Sequence, residues 1–294
     1  MFTTRSFTQQ EVDEAFADGT HSDVDLPAEE IVEKKKSDTI FIFGSGRSIL
    51  DITPDEWQKM SQHNTISFNR FHFQNFIDVD YHLLREILVD NNHPELYQQF
   101  LLEHVELLNR NPRYDKAHLL FQRGTCGDDI IKYGLVNSKT ISRFDNTVED
   151  KYAMIEPFGS WKQGLVHGMA TIFDCLNFAW IFGWKKIVLV GVDLYDRRYF
   201  YLEENETQLN DLTRVGKDGY KMEHNTSKGV LAMSTMWRKY FNNRGVELYS
   251  YNPKSLLTDC MPIFDWDVVK QQRVMMNARH LLFGPKGVLY PLTK

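Results

Sequence analysis

TIFIFGSGRS, at residues 39–48, combines a β-prone apolar run with a glycine-rich turn. Such an uninterrupted run predicts a strand buried on both faces, as in a parallel sheet covered by helices. Gly44 and Gly46 follow directly and precede a helical stretch, which is the setting of a phosphate-binding loop. The segment therefore predicts the first strand and turn of an α/β domain that binds a phosphate.

Strand and helix patterns alternate along the rest of the chain. Further strands are predicted at 64–68, 79–84, 116–121, 185–193 and 246–250. Helices are predicted at 54–60, 93–109, 168–182 and 227–243, whereas 124–160 has no assignable pattern. This alternation predicts a Rossmann-like, doubly wound and mostly parallel sheet.

Three regions surround or make up this domain. Residues 1–37 are polar and predict an N-terminal arm with peripheral helices, and 38–262 form the main domain. Within it, 196–223 is charged and aromatic with few apolar anchors, which predicts a lid-like insertion over the carboxyl edge of the sheet. Residues 263–294 predict a basic helical tail. This tail is either a packing helix, an oligomer contact or a peripheral contact with an anionic membrane.

Composition narrows the class of protein. With 42% hydrophobic and 25% charged residues in 294, the chain is predicted to be globular. Its net charge of −6 argues against a nucleic-acid partner. The scattered cysteines indicate a reducing compartment, and the sequence contains neither a signal peptide nor a run long enough to span a bilayer. A cytoplasmic protein is expected, in peripheral contact with the inner membrane face if the tail binds lipid.

Two common kinds of nucleotide site are excluded by the glycine loop and the second strand. The third small position of a dinucleotide fingerprint is Ile49, and Asn69 and Arg70 end the second strand where an acid is needed. No lysine stands at the position that a P-loop requires. These features leave a nucleotide binder that recognises base and ribose differently.

Five short motifs occur in an order that resembles a known family. They are FGSGRS at 43–48, FNRF at 68–71, GVDLY at 191–195, the isolated His224, and NPKSLL at 252–257. Over about 220 residues this series resembles the bacterial sialyltransferases of glycosyltransferase family 42. The resemblance implies a GT-A-variant sheet and transfer of sialic acid, or a related acidic sugar, from a CMP-activated donor to a glycan hydroxyl. The transfer would be inverting and metal-independent, would need no cofactor, and would serve lipooligosaccharide or capsule biosynthesis.

The resemblance also implies residue roles around the nucleotide. The donor phosphate would be faced by Gly44, Ser45 and Gly46. Asn69 would contact the nucleotide, and the cytidine ribose would lie at Gly191 and Asp193. The cytidine pocket would be shaped by Asn252, Pro253, Lys254 and Ser255.

The implied catalytic residues are Tyr195, Tyr201 and His224. The two phenols would donate to the leaving phosphate, and the imidazole would take the proton of the acceptor hydroxyl. This chemistry is self-consistent, because a CMP-linked sugar carries a good leaving group that phenolic and backbone donors can stabilise. Histidine titrates near neutral pH and suits a general base.

The sequence departs from the family in two places. Ser45 and Arg47 stand where the family has Asn and Pro. The arginine near the start of the central helix has no clear counterpart, although Lys162, Gln163 and His167 lie nearby. A cation for the sugar carboxylate would come from Arg85, Arg197 or Arg198.

Two other functions stay open at this point. Asp78-Val79-Asp80 is a DxD sequence of the type that holds a divalent ion in metal-dependent UDP-sugar transferases. The chain is alternatively a non-catalytic nucleotide-binding domain that retains the fold without turnover.

Overall fold

The computed structural model describes residues 5–17, 29–85, 96–137, 140–146, 155–195, 198–202 and 225–266. Within these ranges seven strands form one sheet. They are β1 (Thr39–Phe43), β2 (Asn64–Phe68), β3 (Tyr81–Leu84), β4 (His118–Gln122), β5 (Ile141–Phe144), β6 (Lys186–Val190) and β7 (Glu247–Ser250).

The helices lie on both faces and at the rim of this sheet. They are α1 (Gln9–Ala15), α2 (Glu29–Glu33), α3 (Pro54–Met60), α4 (Tyr97–Arg110), α5 (Cys126–Lys132), α6 (Thr171–Ile181) and α7 (Asn225–Asn242). Short 3₁₀ turns follow β1, β2 and β7, at Arg47–Asp51, Asn69–Phe73 and Leu256–Asp259. Among the described residues, no helix combines the length and the apolar character that crossing a bilayer demands.

All strand pairs are parallel, in the order β5-β4-β3-β2-β1-β6-β7. From β1 the chain first builds outward through β2 to β5, then returns and adds β6 and β7 on the other side of β1. This order confirms the predicted Rossmann-like, doubly wound sheet. The reversal places a topological switch point between β1 and β6, and ligands in open α/β sheets bind outside the carboxyl ends of the strands at such a point.

Strand β1 explains why the sheet is covered on both faces. Ile40 and Ile42 belong to the core beneath α6 and α7, whereas Phe41 and Phe43 belong to the core beneath α3, α4 and α5. All four side chains are fully buried. The continuous apolar run is therefore explained as predicted, by burial on both faces. Successive side chains of the strand point to opposite faces, and both faces are packed.

In the unassigned region 124–160, the described residues include the helix α5 and the strand β5. Among the described strands, β5 reads ISRF and pairs only with β4, so it is a sheet edge whose partly buried face carries Ile141 and Arg143. A four-residue strand of mixed polarity lacks the apolar run that marks a central strand. The predicted strand at 79–84 also starts later, at Tyr81.

Chain segments on both sides of the predicted domain boundaries pack onto the core. Ile31 is fully buried, and its carbonyl accepts a hydrogen bond from the Tyr81 hydroxyl at 3.1 Å. Phe264 packs edge-on against Phe41, with ring centroids 5.6 Å apart. Most of the predicted lid (196–197 and 203–223), His224 and the tail 267–294 lie outside the described residues.

Candidate functional site

The predicted glycine loop lies at the switch point, and the amides of its two glycines form hydrogen bonds with backbone carbonyls. The amide of Gly44 donates to the Val190 carbonyl and that of Gly46 to the Gly191 carbonyl, both at 2.8 Å. A Cβ at Gly44 would come within 2.6 Å of the Gly191 oxygen. The glycines thus let the loop after β1 lie directly against the loop after β6. Both glycine amides are therefore used within the fold, and the contact of Gly44, Ser45 and Gly46 with a donor phosphate stays a prediction.

Asp193 occupies the place predicted for an anion. Its carboxylate is 3% exposed and accepts hydrogen bonds from the Ser48 amide at 3.0 Å and from the Ser48 hydroxyl. Asn252 donates to it from the loop after β7 at 2.8 Å. The carboxylate therefore caps the 3₁₀ turn after β1 and ties three loops together. Both carboxylate oxygens thus take part in hydrogen bonds within the fold, and the contact of Asp193 with the cytidine ribose stays a prediction.

The turn after β7 is held by its own side chains. Asn252 accepts from the Lys254 amide at 2.9 Å, and Ser255 donates from its hydroxyl to the Val192 carbonyl at 2.6 Å. These two side chains fix the turn against the loop after β6. Pro253 and Lys254 are exposed. Of the four residues expected to shape a cytidine pocket, only these two offer their side chains to a ligand.

Backbone strain marks the same edge of the sheet. Among the described residues, two that are not glycine have positive φ, Asn69 at 50° and Leu194 at 60°. Asn69 directly follows β2, and Leu194 lies in the loop after β6. Asparagine tolerates this conformation, but a leucine in it costs on the order of 1–3 kcal/mol. Strain of this kind gathers at binding and catalytic sites, where the surrounding structure enforces it.

Residues 198–202, here called the aromatic strap, cross the glycine loop. The Phe200 amide donates to the Ser45 carbonyl at 3.1 Å, and Phe200 is fully buried. Arg47 reaches the Leu202 carbonyl at 3.4 Å. Tyr201 stacks on Phe73 in the turn after β2, with centroids 4.8 Å apart. The strap thereby anchors the first part of the predicted lid.

The two predicted phenols contact neighbours on opposite sides of the glycine loop. Tyr195 receives a long hydrogen bond of 3.4 Å from Asn252, beyond β6. Tyr201 lies instead beside the turn after β2. Strand β1 and its glycine loop lie between these two regions of the sheet.

Three of the predicted binding residues offer groups without partners among the described residues. They are the Ser45 amide and hydroxyl, the Asn69 carboxamide and the Lys254 ammonium group. Each follows a different strand, and the three strands end at the same edge of the sheet. These are donors, as recognition of a phosphorylated ligand requires.

An Asp-His-Arg chain lies farther along the same edge. His167 bonds through Nδ1 to the Asp174 carboxylate at 2.7 Å, and through Nε2 to the guanidinium of Arg85 at 2.8 Å. Because arginine only donates, Nε2 accepts and the imidazole proton lies on Nδ1. Asp174 is fully buried, and burial raises its pKa although His167 and Arg85 act to lower it. His167 and Arg85 are predicted separately from the sequence. Asp174 is not predicted, because it lies in the mostly apolar helix α6.

The DxD pair lies at the opposite, amino edge of the sheet. Asp78 pairs with Arg113 at 2.8 Å, and Asp80 pairs with Lys36 at 2.7 Å. Asp80 also accepts from the Thr65 amide at 2.9 Å. Each carboxylate is thus paired with a separate cation, and a divalent ion shared by the two would have to displace both cations. The structure gives this pair a role in attaching neighbouring segments.

A group of potential metal ligands lies behind Asn69, on the α4 side of the sheet. It consists of His72, His82 and His104. No short sequence motif joins them, since they come from a turn, a strand and a helix.

Fold and site together define a doubly wound α/β protein in which strained backbone and donor groups without described partners lie at the switch point. No family model matches the sequence, and no curated protein matches it. Among solved structures, it is similar to the crystal structure of monofunctional alpha-2,3-sialyltransferase Cst-I from Campylobacter jejuni. That similarity covers 83% of this chain and 84% of that chain, with 13% identity and a TM-score of 0.46. At this level it concerns the general fold and carries no information about chemistry.

Proposed function

We propose that the protein is a glycosyltransferase that moves an acidic sugar from a CMP-activated donor to a glycan hydroxyl. The observation that carries this proposal is the construction of the switch point. There Asp193 joins the loops after β1, β6 and β7, while donor groups of Ser45, Asn69 and Lys254 remain available to a ligand. A single phosphate flanked by a nucleoside and a sugar suits donors spread over three neighbouring loops.

The leaving group is stabilised by neutral donors and one cation. As the bond between the anomeric carbon and the phosphate oxygen breaks, negative charge grows on CMP, and Ser45 and Lys254 supply hydrogen bonds to it. Tyr195 and Tyr201 add phenolic donors from the two sides of the glycine loop. Such preorganised donors lower the barrier without an obligatory bridging ion.

Arg85 is the proposed partner of the sugar carboxylate. Its guanidinium is oriented by His167, which is in turn held by the buried Asp174. A planar guanidinium matches a carboxylate in charge and shape. Replacing Arg85 with methionine should therefore weaken use of the acidic donor about 10–100-fold, because a charged hydrogen bond is worth about 1.5–3 kcal/mol.

His224 is the proposed general base. It directly precedes α7, in the connection between β6 and β7, and it would take the proton of the acceptor hydroxyl as that oxygen attacks the anomeric carbon. Attack opposite the departing CMP inverts the configuration. His167 is less suited to this role, because its Nε2 already accepts from Arg85.

Ligand-induced thermal shifts test the donor. CMP and CDP should raise the melting temperature, whereas UDP and NAD should not, and the CMP shift should persist in EDTA. Ser45→Ala should reduce the CMP shift, and Ser61→Ala, an exposed serine beyond α3, serves as the matched control. A UDP shift that requires a divalent ion would replace the proposal with a UDP-sugar transferase.

Turnover distinguishes an enzyme from a nucleotide-binding domain. Wild-type protein should release CMP from CMP-sialic acid, faster when a glycan acceptor is present. CMP binding with no release from any acidic-sugar donor would identify a non-catalytic nucleotide-binding domain.

The C-terminal tail is proposed as a peripheral membrane contact. Co-sedimentation with anionic vesicles should depend on residues 267–294. Equal sedimentation of full-length and truncated protein would leave the tail a packing or oligomer element.

A further inference from the structure

Three histidines from three different elements converge on one point. His72 lies in the turn after β2, His82 in β3 and His104 in α4, and their ligand atoms all lie within 4.8 Å of one another. The rings of His72 and His104 are 4.1 Å apart between centroids, and those of His72 and His82 are 5.8 Å apart. The group is separate from the glycine loop and lies within the layer between the sheet and α4.

The Nε2 atoms of all three rings are buried and lack a hydrogen-bond partner among the described residues. His72 and His82 are fully buried, and His104 is partly exposed at other atoms. A buried polar atom without a partner costs about 1–3 kcal/mol. Three such atoms at one place are costly unless they share a ligand.

In His72 and His82 the other ring nitrogen is held as it is in metal sites. The Nδ1 of His72 bonds to the Asn69 carbonyl at 2.9 Å, and since a carbonyl only accepts, the proton lies on Nδ1 and the lone pair on Nε2. The Nδ1 of His82 bonds to the Ser67 hydroxyl at 2.8 Å. Metal-binding histidines characteristically use their second nitrogen in this way, which fixes the ring and its tautomer.

The three rings lie in surroundings that disfavour a positive charge. Burial lowers the pKa of His72 to about 4, with a further contribution from the charge of Arg70. Burial also holds the pKa of His82 and of His104 well below the usual value, and the neighbouring rings act in the same direction.

We propose that His72, His82 and His104 bind a divalent transition-metal ion of the Zn²⁺ class through their Nε2 atoms, with water or a small anion as fourth ligand. Imidazole suits Zn²⁺, Co²⁺, Ni²⁺ and Cu²⁺, whereas Mg²⁺ and Ca²⁺ prefer oxygen. Metal–nitrogen bonds of about 2.0–2.1 Å in a tetrahedral site place the nitrogens about 3.3 Å apart, so they must draw together by up to about 1.5 Å through side-chain rotations. The ion would fasten the turn carrying Asn69 to β3 and α4.

Cobalt titration of the full-length, chelator-treated protein tests the site directly. Co²⁺ should produce visible absorption bands of a four-coordinate nitrogen site that saturate at about one ion per chain, and Zn²⁺ should abolish them. Wild-type protein that gives no bands and no rise in melting temperature with Zn²⁺ would overturn the proposal, without reference to any variant.

Variants assign the binding to these residues. His104→Gln and His82→Asn should each weaken Co²⁺ binding at least about 10–100-fold, the loss that outer-shell partners alone produce. His63→Gln is the matched control, because His63 is partly buried and bonds to Ser37 outside this group. Circular dichroism verifies that each variant folds, and unchanged cobalt binding in a folded His104→Gln protein would exclude the site.

Discussion

The two edges of the sheet use the same residue type in different ways. At the amino edge, Asp78 and Asp80 each pair with a cation, from Arg113 and Lys36. At the carboxyl edge, Asp193 accepts from Ser48 and Asn252 and has no cationic partner among the described residues. The first arrangement neutralises charge in place, and the second uses neutral hydrogen bonds to hold three loops.

The difference separates scaffold from site. At the amino edge, ion pairs join Asp78 to Arg113 and attach the segment before β1 through Lys36 and Asp80. At the carboxyl edge one buried carboxylate fixes the loops, and donors of Ser45, Asn69 and Lys254 remain unused by the described residues. Substitutions at the carboxyl edge should therefore change ligand binding and turnover, and those at the amino edge should change only stability.

The largest effect is expected at His224. His224→Ala should lower sugar transfer about 10²–10⁴-fold, because the acceptor hydroxyl loses its base, while CMP binding stays nearly intact. The rate of CMP release measures sugar transfer, and the thermal shift with CMP measures CMP binding. His63→Gln, at the amino edge, should leave transfer unchanged. Equal turnover of His224→Ala and wild type would remove this histidine from the mechanism.

Gly46→Ala should disrupt the carboxyl edge by steric conflict. The added Cβ would lie 2.5 Å from an Asp193 oxygen and 2.7 Å from the Gly191 carbonyl, so the loops after β1 and β6 must separate. We expect a loss of about 1–3 kcal/mol in the free energy of unfolding, together with weaker CMP binding. Gly159→Ala has no neighbour closer than 4.0 Å and should be neutral in both measurements.

The buried His118 at the amino edge should make stability depend on pH. Burial lowers the pKa of His118 from 6.5 to about 4. Between these two pH values the histidine is therefore protonated in the unfolded chain and neutral in the folded chain. The share of the free energy of unfolding that depends on neutral His118 is fully present above pH 6.5 and is lost as the pH falls toward 4. At pH 5 the loss is about 2 kcal/mol.

Urea unfolding at pH 7 and pH 5 measures this dependence. In His118→Asn, which retains a polar group beside Ser142, the drop between the two pH values should shrink by about 2 kcal/mol. If the free energy of unfolding fell equally between pH 7 and pH 5 in wild type and in His118→Asn, protonation of His118 would carry no cost in stability.

The smallest effect is expected at Asp80. Asp80→Asn removes the ion pair with Lys36, which is partly exposed, and should cost about 1 kcal/mol of unfolding free energy. CMP affinity should stay the same, because this edge faces away from the site. A substantial loss of CMP binding would contradict the division between the two edges.

Local pattern was sufficient for the centre of the fold. The apolar run of β1 predicts its burial on both faces, and the helix predicted at 54–60 has the bounds of α3. Strand β5 was missed because an edge strand needs only one apolar face. The helix predicted at 93–109 corresponds to α4, Tyr97–Arg110, and residues 93–95 lie outside the described part of the chain.

The sequence by itself determined the sheet type, the place of the glycine loop and the set of polar residues at strand ends, because these depend on neighbouring residues. Tertiary structure alone decided which of these polar groups form hydrogen bonds within the protein and which have no partner among the described residues. Asp193 reaches Ser48 across 145 positions of sequence, and the three histidines meet only when a turn, a strand and a helix pack together. Hydrogen bonding and burial depend on distances in space, and spacing along a chain does not encode those distances.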